Sequence, residues 1–238
     1  SDQWGNITTG TELVRRMNVD NEERSKAYAM TCPLITKADG SKFGKSEGGN
    51  IWLSADKTSP YKFYQFWLNT TDVDAEKYIK IFTFLDKATI DTLIAKHDED
   101  RGAKILQKRL AEELMILVHS QEDLDKAIFS SAAFFSKDMA NLKTLNVKEL
   151  EDVFDGIPVS EVSKSDIEAG VDIIAFLNEK TGILASNGEA RRSLKENSIS
   201  INKEKIAEEY IVSTKDLVSD EFILLQRGKK NYFVVRVK

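Results

Sequence analysis

The sequence predicts a multidomain chain that passes from an α/β segment through an all-α segment to a compact α+β module. Three observations predict this. Residues 1–59 set one helical stretch and short strand-like runs around a loop rich in glycine and lysine. In residues 60–155, apolar side chains recur at helical spacing, as at Leu106, Leu110, Leu114, Leu117 and Val118. Residues 170–238 end in two apolar or alternating runs, 221–226 and 232–237, joined by the turn-forming Arg227-Gly-Lys-Lys-Asn231.

Taken in order, the first segment predicts a short helix over 9–17 and strands over 28–35 and 50–53. Between the strands lies a loop, 36–49, with four glycines in its last ten residues. Such a stretch holds no regular element, and mobility is expected of it. The second segment predicts five or six helices. Pro60 after Ser59 suits a first helical position, and Thr71-Asp72 and Ser120 are N-cap signals. A linker, 156–169, entered through Asp155-Gly156-Ile157-Pro158, leads to the third segment. There the pattern predicts helices over 171–179 and 188–195 and a strand over 199–201, before the closing hairpin. No internal repeat is present.

Composition narrows the function classes. The 238 residues are 31% charged and 41% hydrophobic, which is globular composition. No run of about 18 apolar residues exists, so neither a transmembrane helix nor a membrane partner is expected. The start, Ser1-Asp2-Gln3-Trp4-Gly5, has no basic end followed by an apolar stretch and is not a signal peptide. It opens in structured-looking sequence without Met, which predicts a piece of a longer chain. The single cysteine, Cys32, excludes an internal disulfide and fits a reducing, cytoplasmic setting. One cysteine and two scattered histidines make no protein-bound metal site. Net charge is −5, which argues against a generic nucleic-acid binder. The charge is uneven, however: from Gly182 onward 11 Lys/Arg face 8 Asp/Glu, a net +3, while the remainder carries −8. An acidic body with a basic tail still binds RNA through the tail.

Several conspicuous residues read as structural. The aromatic run 61–67 sits at helical spacing and is expected in a core rather than as a base-stacking platform. Cys32, beside Pro33 in an apolar run, is expected to be a small buried hydrophobe. His119 at the end of an apolar helix reads as a partner of the helix dipole, and Asp98-Glu99-Asp100 as a solvated connection.

The sharpest chemical signal is Lys42-Phe43-Gly44-Lys45-Ser46. Two lysines three residues apart on a glycine-hinged loop can close over a polyphosphate and meet charge that develops in a transition state. The same spacing also describes a solvated basic turn. The longer glycine spacing of a P-loop is absent.

The surrounding sequence resembles bacterial-type tyrosyl-tRNA synthetases of class I. Lys42–Ser46 is similar to the family's second signature loop. Ser1-Asp2-Gln3-Trp4-Gly5-Asn6-Ile7 is similar to an active-site segment, and Thr58-Ser-Pro-Tyr-Lys-Phe-Tyr-Gln-Phe-Trp67 continues the likeness in the same order. The resemblance implies the end of a class I Rossmann-type catalytic fold over 1–59, a helical anticodon-binding domain over 60–155 and an S-four-like RNA-binding domain over 170–238. It implies activation of tyrosine by ATP, with Mg²⁺ accompanying the nucleotide, and transfer to the tRNA for tyrosine. Lys42 and Lys45 would stabilise the leaving pyrophosphate, with Lys45 the ATP contact. Ser46 stands where Thr is frequent and still offers a hydroxyl. Asp2 would accept from the adenylate ribose, and Gln3 would contact the activated tyrosine. The family's first signature, His-x-Gly-His, appears nowhere, since His97 and His119 are isolated. The residues that recognise the tyrosine side chain are missing as well. The chain by itself is therefore expected to be inactive and monomeric, its parent a homodimer.

In the tail, the stretch 182–194, Gly-Ile-Leu-Ala-Ser-Asn-Gly-Glu-Ala-Arg-Arg-Ser-Leu, resembles the S-four fold found at the C-terminus of these enzymes. Ser186 or Asn187 would cap a helix whose first N–H groups face a phosphate. Arg191 and Arg192 would add phosphate or base contacts, and Arg227, Lys229 and Lys230 further phosphate contacts. The fold's usual glycine before its strand is replaced by Asn197, the next best residue for a left-handed turn. In the relatives, the helical domain and the tail contact the anticodon and the long variable arm. Three competing readings stay open: a non-catalytic RNA-binding module sharing the tail fold, a tryptophanyl relative, and a scaffold without an RNA partner.

Overall fold

A computed structural model describes residues 2–41, 43, 50–136, 139–229 and 231–238, with the side chain of Asp2 left out. It divides into two compact units, Ser1–Lys45 and Ser46–Lys238.

The first unit contains one helix, α1 (Asp2–Met17), which starts seven residues before the predicted Thr9. Gly5, Thr8, Thr9 and Gly10 argue locally against helix. The Thr8 and Thr9 hydroxyls instead donate back to the Trp4 and Gly5 carbonyls, so the competing hydrogen bonds lie within the helix. The strand expected over 28–35 does not form. Apart from a bridge residue at Thr36, 26–35 is irregular, and Tyr28, Met30 and Leu34 are exposed. Apolar residues make a strand only where a neighbouring strand completes the ladder, and among the described residues none lies beside these. Cys32 shares that exposure, which corrects the expectation of a buried thiol. The predicted loop opens with a tight turn over 37–41, in which Gly40 takes φ +81°. Most of the rest of it lies outside the described residues.

In the second unit, 50–53 is also irregular rather than a strand; the Trp52 N–H donates to the Thr58 hydroxyl. Six α-helices follow: α2 (Pro60–Leu68), α3 (Asp72–Phe82), α4 (Lys87–Glu99), α5 (Ile105–Val118), α6 (Gln121–Phe135) and α7 (Val147–Val153). Their starts follow the cap signals. Ser59, Thr71 and Ser120 accept from the N–H groups of Lys62, Asp74 and Asp123. The aromatic run is core: Phe63, Tyr64 and Trp67 are buried, and Trp67 meets Tyr78 and Phe82 edge-on at 6.2 and 5.6 Å. Of the leucine stripe on α5, Leu106, Leu110 and Leu114 are buried with Ala111 and Met115. Leu117 is 55% exposed, because the buried face closes at Met115 rather than running on to the helix end. His119 stands at the C-cap of α5 and presents its ring to Phe63 at 5.0 Å.

Beyond the turn at Gly156 (φ +79°) come β1 (Val159–Val162), α8 (Lys164–Ala169), β2 (Val171–Asp172), α9 (Ile173–Ala175), α10 (Asn187–Lys195) and β3 (Ile199–Ile201). β4 (Glu204–Lys205), β5 (Ile211–Val212), β6 (Phe222–Arg227) and β7 (Asn231–Val237) complete the module. The helix predicted over 171–179 is divided. Val171 and Asp172 pair antiparallel with β5, and Asp172 then caps α9, which widens into a π-type turn over Phe176–Lys180. The main sheet runs β1-β7-β6-β3-β4, antiparallel except where β1 lies parallel to β7. Asn197 does take the left-handed conformation, at φ +52°.

The sheet is covered on both faces, which is why 222–225 reads as an unbroken apolar run. Ile223, Leu225, Val235 and Val237 pack with Ile167, Ile173, Phe176, Leu177, Ala190 and Leu194. On the opposite face Phe222, Leu224 and Val234, with Val218, share a core with Ala133, Phe134, Leu142, Leu150, Val153 and Phe154 of the helical segment. The period of two along the strands sends alternate residues to the two cores.

Candidate nucleic-acid interface

Of the tail residues expected to hold RNA, Arg192 and Arg227 both lie near the Glu189 carboxylate at the start of α10. α10 begins after Ser186, whose hydroxyl accepts from the Glu189 N–H at 3.2 Å. The Glu189 carboxylate in turn accepts from the Ala185 N–H at 3.1 Å. Asn187 is tied to the preceding turn, accepting from the Asn178 amide and donating to Glu179. The β6–β7 hairpin is held against the end of α10, since the Gly228 N–H donates to the Ser198 carbonyl at 2.7 Å. This brings Arg227 to Glu189, whose carboxylate also feels the charge of Arg192. Lys230 lies outside the described residues.

Carboxylates moderate the charge of this face. Arg227 pairs with Glu189 at 2.8 Å and Arg191 with Glu208 at 3.3 Å. The Ala185 N–H, and after it Arg227, hold the Glu189 carboxyl below its usual range. Arg192 is exposed and forms no ion pair among the described residues. Surface pairs of this kind contribute little net stability, so a phosphate can take over their arginines at small cost. No partner stands opposite the N–H groups of Asn187 and Gly188 among the described residues, which leaves donors at the positive end of the helix dipole. The sequence did not single out Glu189 and Glu208 as counter-charges. Glu189 was legible as the fourth residue of a Ser-x-x-Glu capping pattern, whereas Glu208 reaches Arg191 only through the fold.

The nucleotide-site residues proposed from the sequence are less fully described. Lys42, Lys45 and Ser46 lie outside the described residues. Asp2 opens α1, and Gln3, in its first turn, is exposed. No group of three His, Cys, Asp or Glu side chains suited to a metal occurs among the described residues, and no helix there is long and apolar enough to cross a membrane.

Residues 1–136 match the family described as tRNA synthetases class I (W and Y), and the chain belongs to that family. Residues 149–235 match a second family, the tyrosine–tRNA ligase SYY-like C-terminal domain. Among curated relatives, the tyrosine–tRNA ligase of Flavobacterium johnsoniae is 64% identical over 238 residues, all of this chain and 54% of the relative. That of Bacteroides fragilis is 51% identical over 240 residues, all of this chain and 55% of the relative. The chain thus spans about half the length of the curated relatives it matches. A solved structure of a C-terminally truncated mitochondrial tyrosyl-tRNA synthetase from Coccidioides posadasii aligns with 53% of this chain and 36% of its own, at 32% identity and a TM-score of 0.44.

Proposed function

We propose that these residues are the part of a tyrosine–tRNA ligase that binds the tRNA for tyrosine and carries the lysine loop of its ATP site. The observation that carries this reading is the sequence likeness, which runs through the chain in one order from the synthetase family to the ligase C-terminal family. In this reading residues 1–59 end the catalytic fold, 60–155 bind the anticodon and 170–238 form the S-four-like tail, to which 156–169, expected as a linker, add β1 and α8. Lys42 and Lys45 stabilise pyrophosphate leaving from Mg²⁺-bound ATP, Ser46 donates a hydroxyl, and Asp2 and Gln3 hold the tyrosyl-adenylate. Without a His-x-Gly-His element, the 238 residues alone do not activate tyrosine. Ser186, Asn187, Arg191, Arg192, Arg227, Lys229 and Lys230 hold RNA phosphates, and the parent enzyme acts as a homodimer.

The test is binding of the chain to tyrosine tRNA and to a non-cognate tRNA at two salt concentrations. The double variant Arg191→Ala/Arg192→Ala is expected to lose cognate preference and to lower the slope of log affinity against log salt by about 1–2. Equal binding of both tRNAs by the parent chain would leave only a nonspecific RNA module, and binding of neither would defeat the reading.

Gly188→Ala separates helix stability from phosphate approach. A methyl there meets nothing nearer than the Ser186 hydroxyl at 3.9 Å, so the folded state is expected to gain about 0.5–1 kcal/mol. RNA affinity is expected to fall, because the methyl stands where a phosphate approaches the free N–H groups. Thermal melting and RNA titration of one preparation check both signs, and unchanged affinity would remove the helix start from the RNA face.

A further inference from the structure

Between β3 and β4 the chain reverses through two residues, Asn202 and Lys203, with Ile201 paired to Glu204. Both residues have positive φ, +48° and +68°. Two-residue turns of this kind favour Asn followed by Gly, because the second position is crowded for any side chain. Lysine occupies it here. Its ammonium reaches the C-terminal end of α6 and donates to the carbonyls of Ala133 at 3.1 Å, Phe134 at 3.0 Å and Ser136 at 3.0 Å. The carbonyls of a last helical turn have no partner within the helix and stand at the negative end of its dipole. An ammonium has three N–H donors and is compact enough to meet three of them together.

The other end of the turn is fixed in the tail. The Asn202 amide donates to the Asp216 carbonyl at 2.6 Å and accepts from the Leu224 N–H at 3.1 Å. Nearby, the Ser219 hydroxyl donates to the Leu145 carbonyl at 2.8 Å, and Arg236 pairs with Glu151 at 2.9 Å and with Glu221. Alongside these contacts and the shared core, the strained turn ties the strands beside α10 to the end of a helix about 70 residues earlier in the chain.

We infer that Lys203 is a positioning residue for RNA: it seats the tail on α6 so that the α10 face and the helical segment meet a tRNA as one preset surface. This rests on the tRNA reading above. Preset geometry raises affinity for a ligand that spans both surfaces and leaves affinity for a ligand that touches one of them unchanged.

Two variants test it. Lys203→Met keeps the aliphatic stem and removes the charge. Lys203→Gly removes the charge but suits the positive φ, so the fold is preserved where Met disturbs it. In a Cys32→Ser background, spin labels at Lys87→Cys and Glu196→Cys report the distance between the helical segment and the end of α10. The parent chain is expected to give one narrow distance distribution and both variants a shifted or broader one, within what the shared core allows. Both variants are expected to bind full-length tyrosine tRNA about tenfold more weakly and its isolated anticodon stem–loop as the parent does. An unchanged distribution and tRNA affinity in Lys203→Gly overturns the inference. So does a shifted or broadened distribution with unchanged affinity, or equal weakening toward the stem–loop. If the parent itself binds no tRNA, the tRNA reading falls and takes the RNA role of Lys203 with it; an unchanged distribution in both variants would then remove the positioning role too.

Discussion

Phe222→Ala is expected to lower the unfolding free energy of residues 46–238 by about 3–5 kcal/mol, the usual cost of emptying a buried aromatic site. Phe222 is 3% exposed, lies edge-on to Phe154 at 5.7 Å and carries Arg236 over its ring at 5.6 Å. It belongs to the tail sheet, yet most of its core partners belong to the helical segment. The loss should therefore be felt on both sides together. Urea unfolding followed by tryptophan fluorescence in a Trp4→Phe/Trp52→Phe background, where Trp67 alone reports the helical segment, and by far-ultraviolet circular dichroism should give coincident transitions at a lower midpoint. Separated transitions, with the Trp67 signal unmoved, would show that the two segments fold independently. For the same reason, deleting the tail does not leave an intact helical segment; it strips one side from Phe134 and Phe154.

Asp72→Ala is expected to cost about 2–4 kcal/mol by a different mechanism, since a buried donor left without its acceptor costs about 1–3 kcal/mol. Asp72 stands in the first turn of α3, half in solvent, and its Oδ1 receives two groups from the core: Gln107 Nε2 at 2.7 Å and His97 Nε2 at 3.1 Å. Gln107 and His97 are almost fully buried, and Gln107 Oε1 and His97 Nδ1 already have no partner. Removing the carboxylate leaves His97 Nε2 without an acceptor among the described residues and Gln107 Nε2 with only the Thr70 carbonyl at 3.4 Å. The Gln107 amide, and after it the charge of His97, hold the Asp72 carboxyl below the ordinary aspartate value of 3.8. A lowered carboxyl stabilises the fold above its unfolded pKa and loses that contribution as pH falls through the folded one. Asp72→Ala should therefore flatten the acid limb of a stability–pH curve and lower its plateau near neutrality. A full-height plateau with an unchanged acid limb would show that Asp72 does not hold the pair.

What the sequence disclosed follows from how local each signal is. The caps at Ser59, Thr71 and Ser120, the buried aromatics of α2 and the left-handed Asn197 depend on a few neighbouring residues, and these readings hold in the structure. The strand expected over 28–35 depends on a pairing partner that no local pattern supplies. The division of 171–179 turns on Val171 finding Val212, forty-one residues away. The arginines of the candidate site were visible as a basic stretch on a helix, but their counter-charges were not. Lys203 escaped notice because an Asn-Lys pair between short strands is unremarkable until its φ angles are known.

The sheet with two covered faces also has a consequence for vectorial synthesis. Phe134 and Phe154 leave the ribosome long before Phe222 and Val234, which complete their core. At about 5–20 residues per second, the 80 residues from Phe154 to Val234 take roughly 4–16 s to make. For that interval the helical segment presents an uncovered aromatic face. A nascent chain paused before β6 should accordingly recruit holdase chaperones and resist compaction, and one extended past β7 should release them.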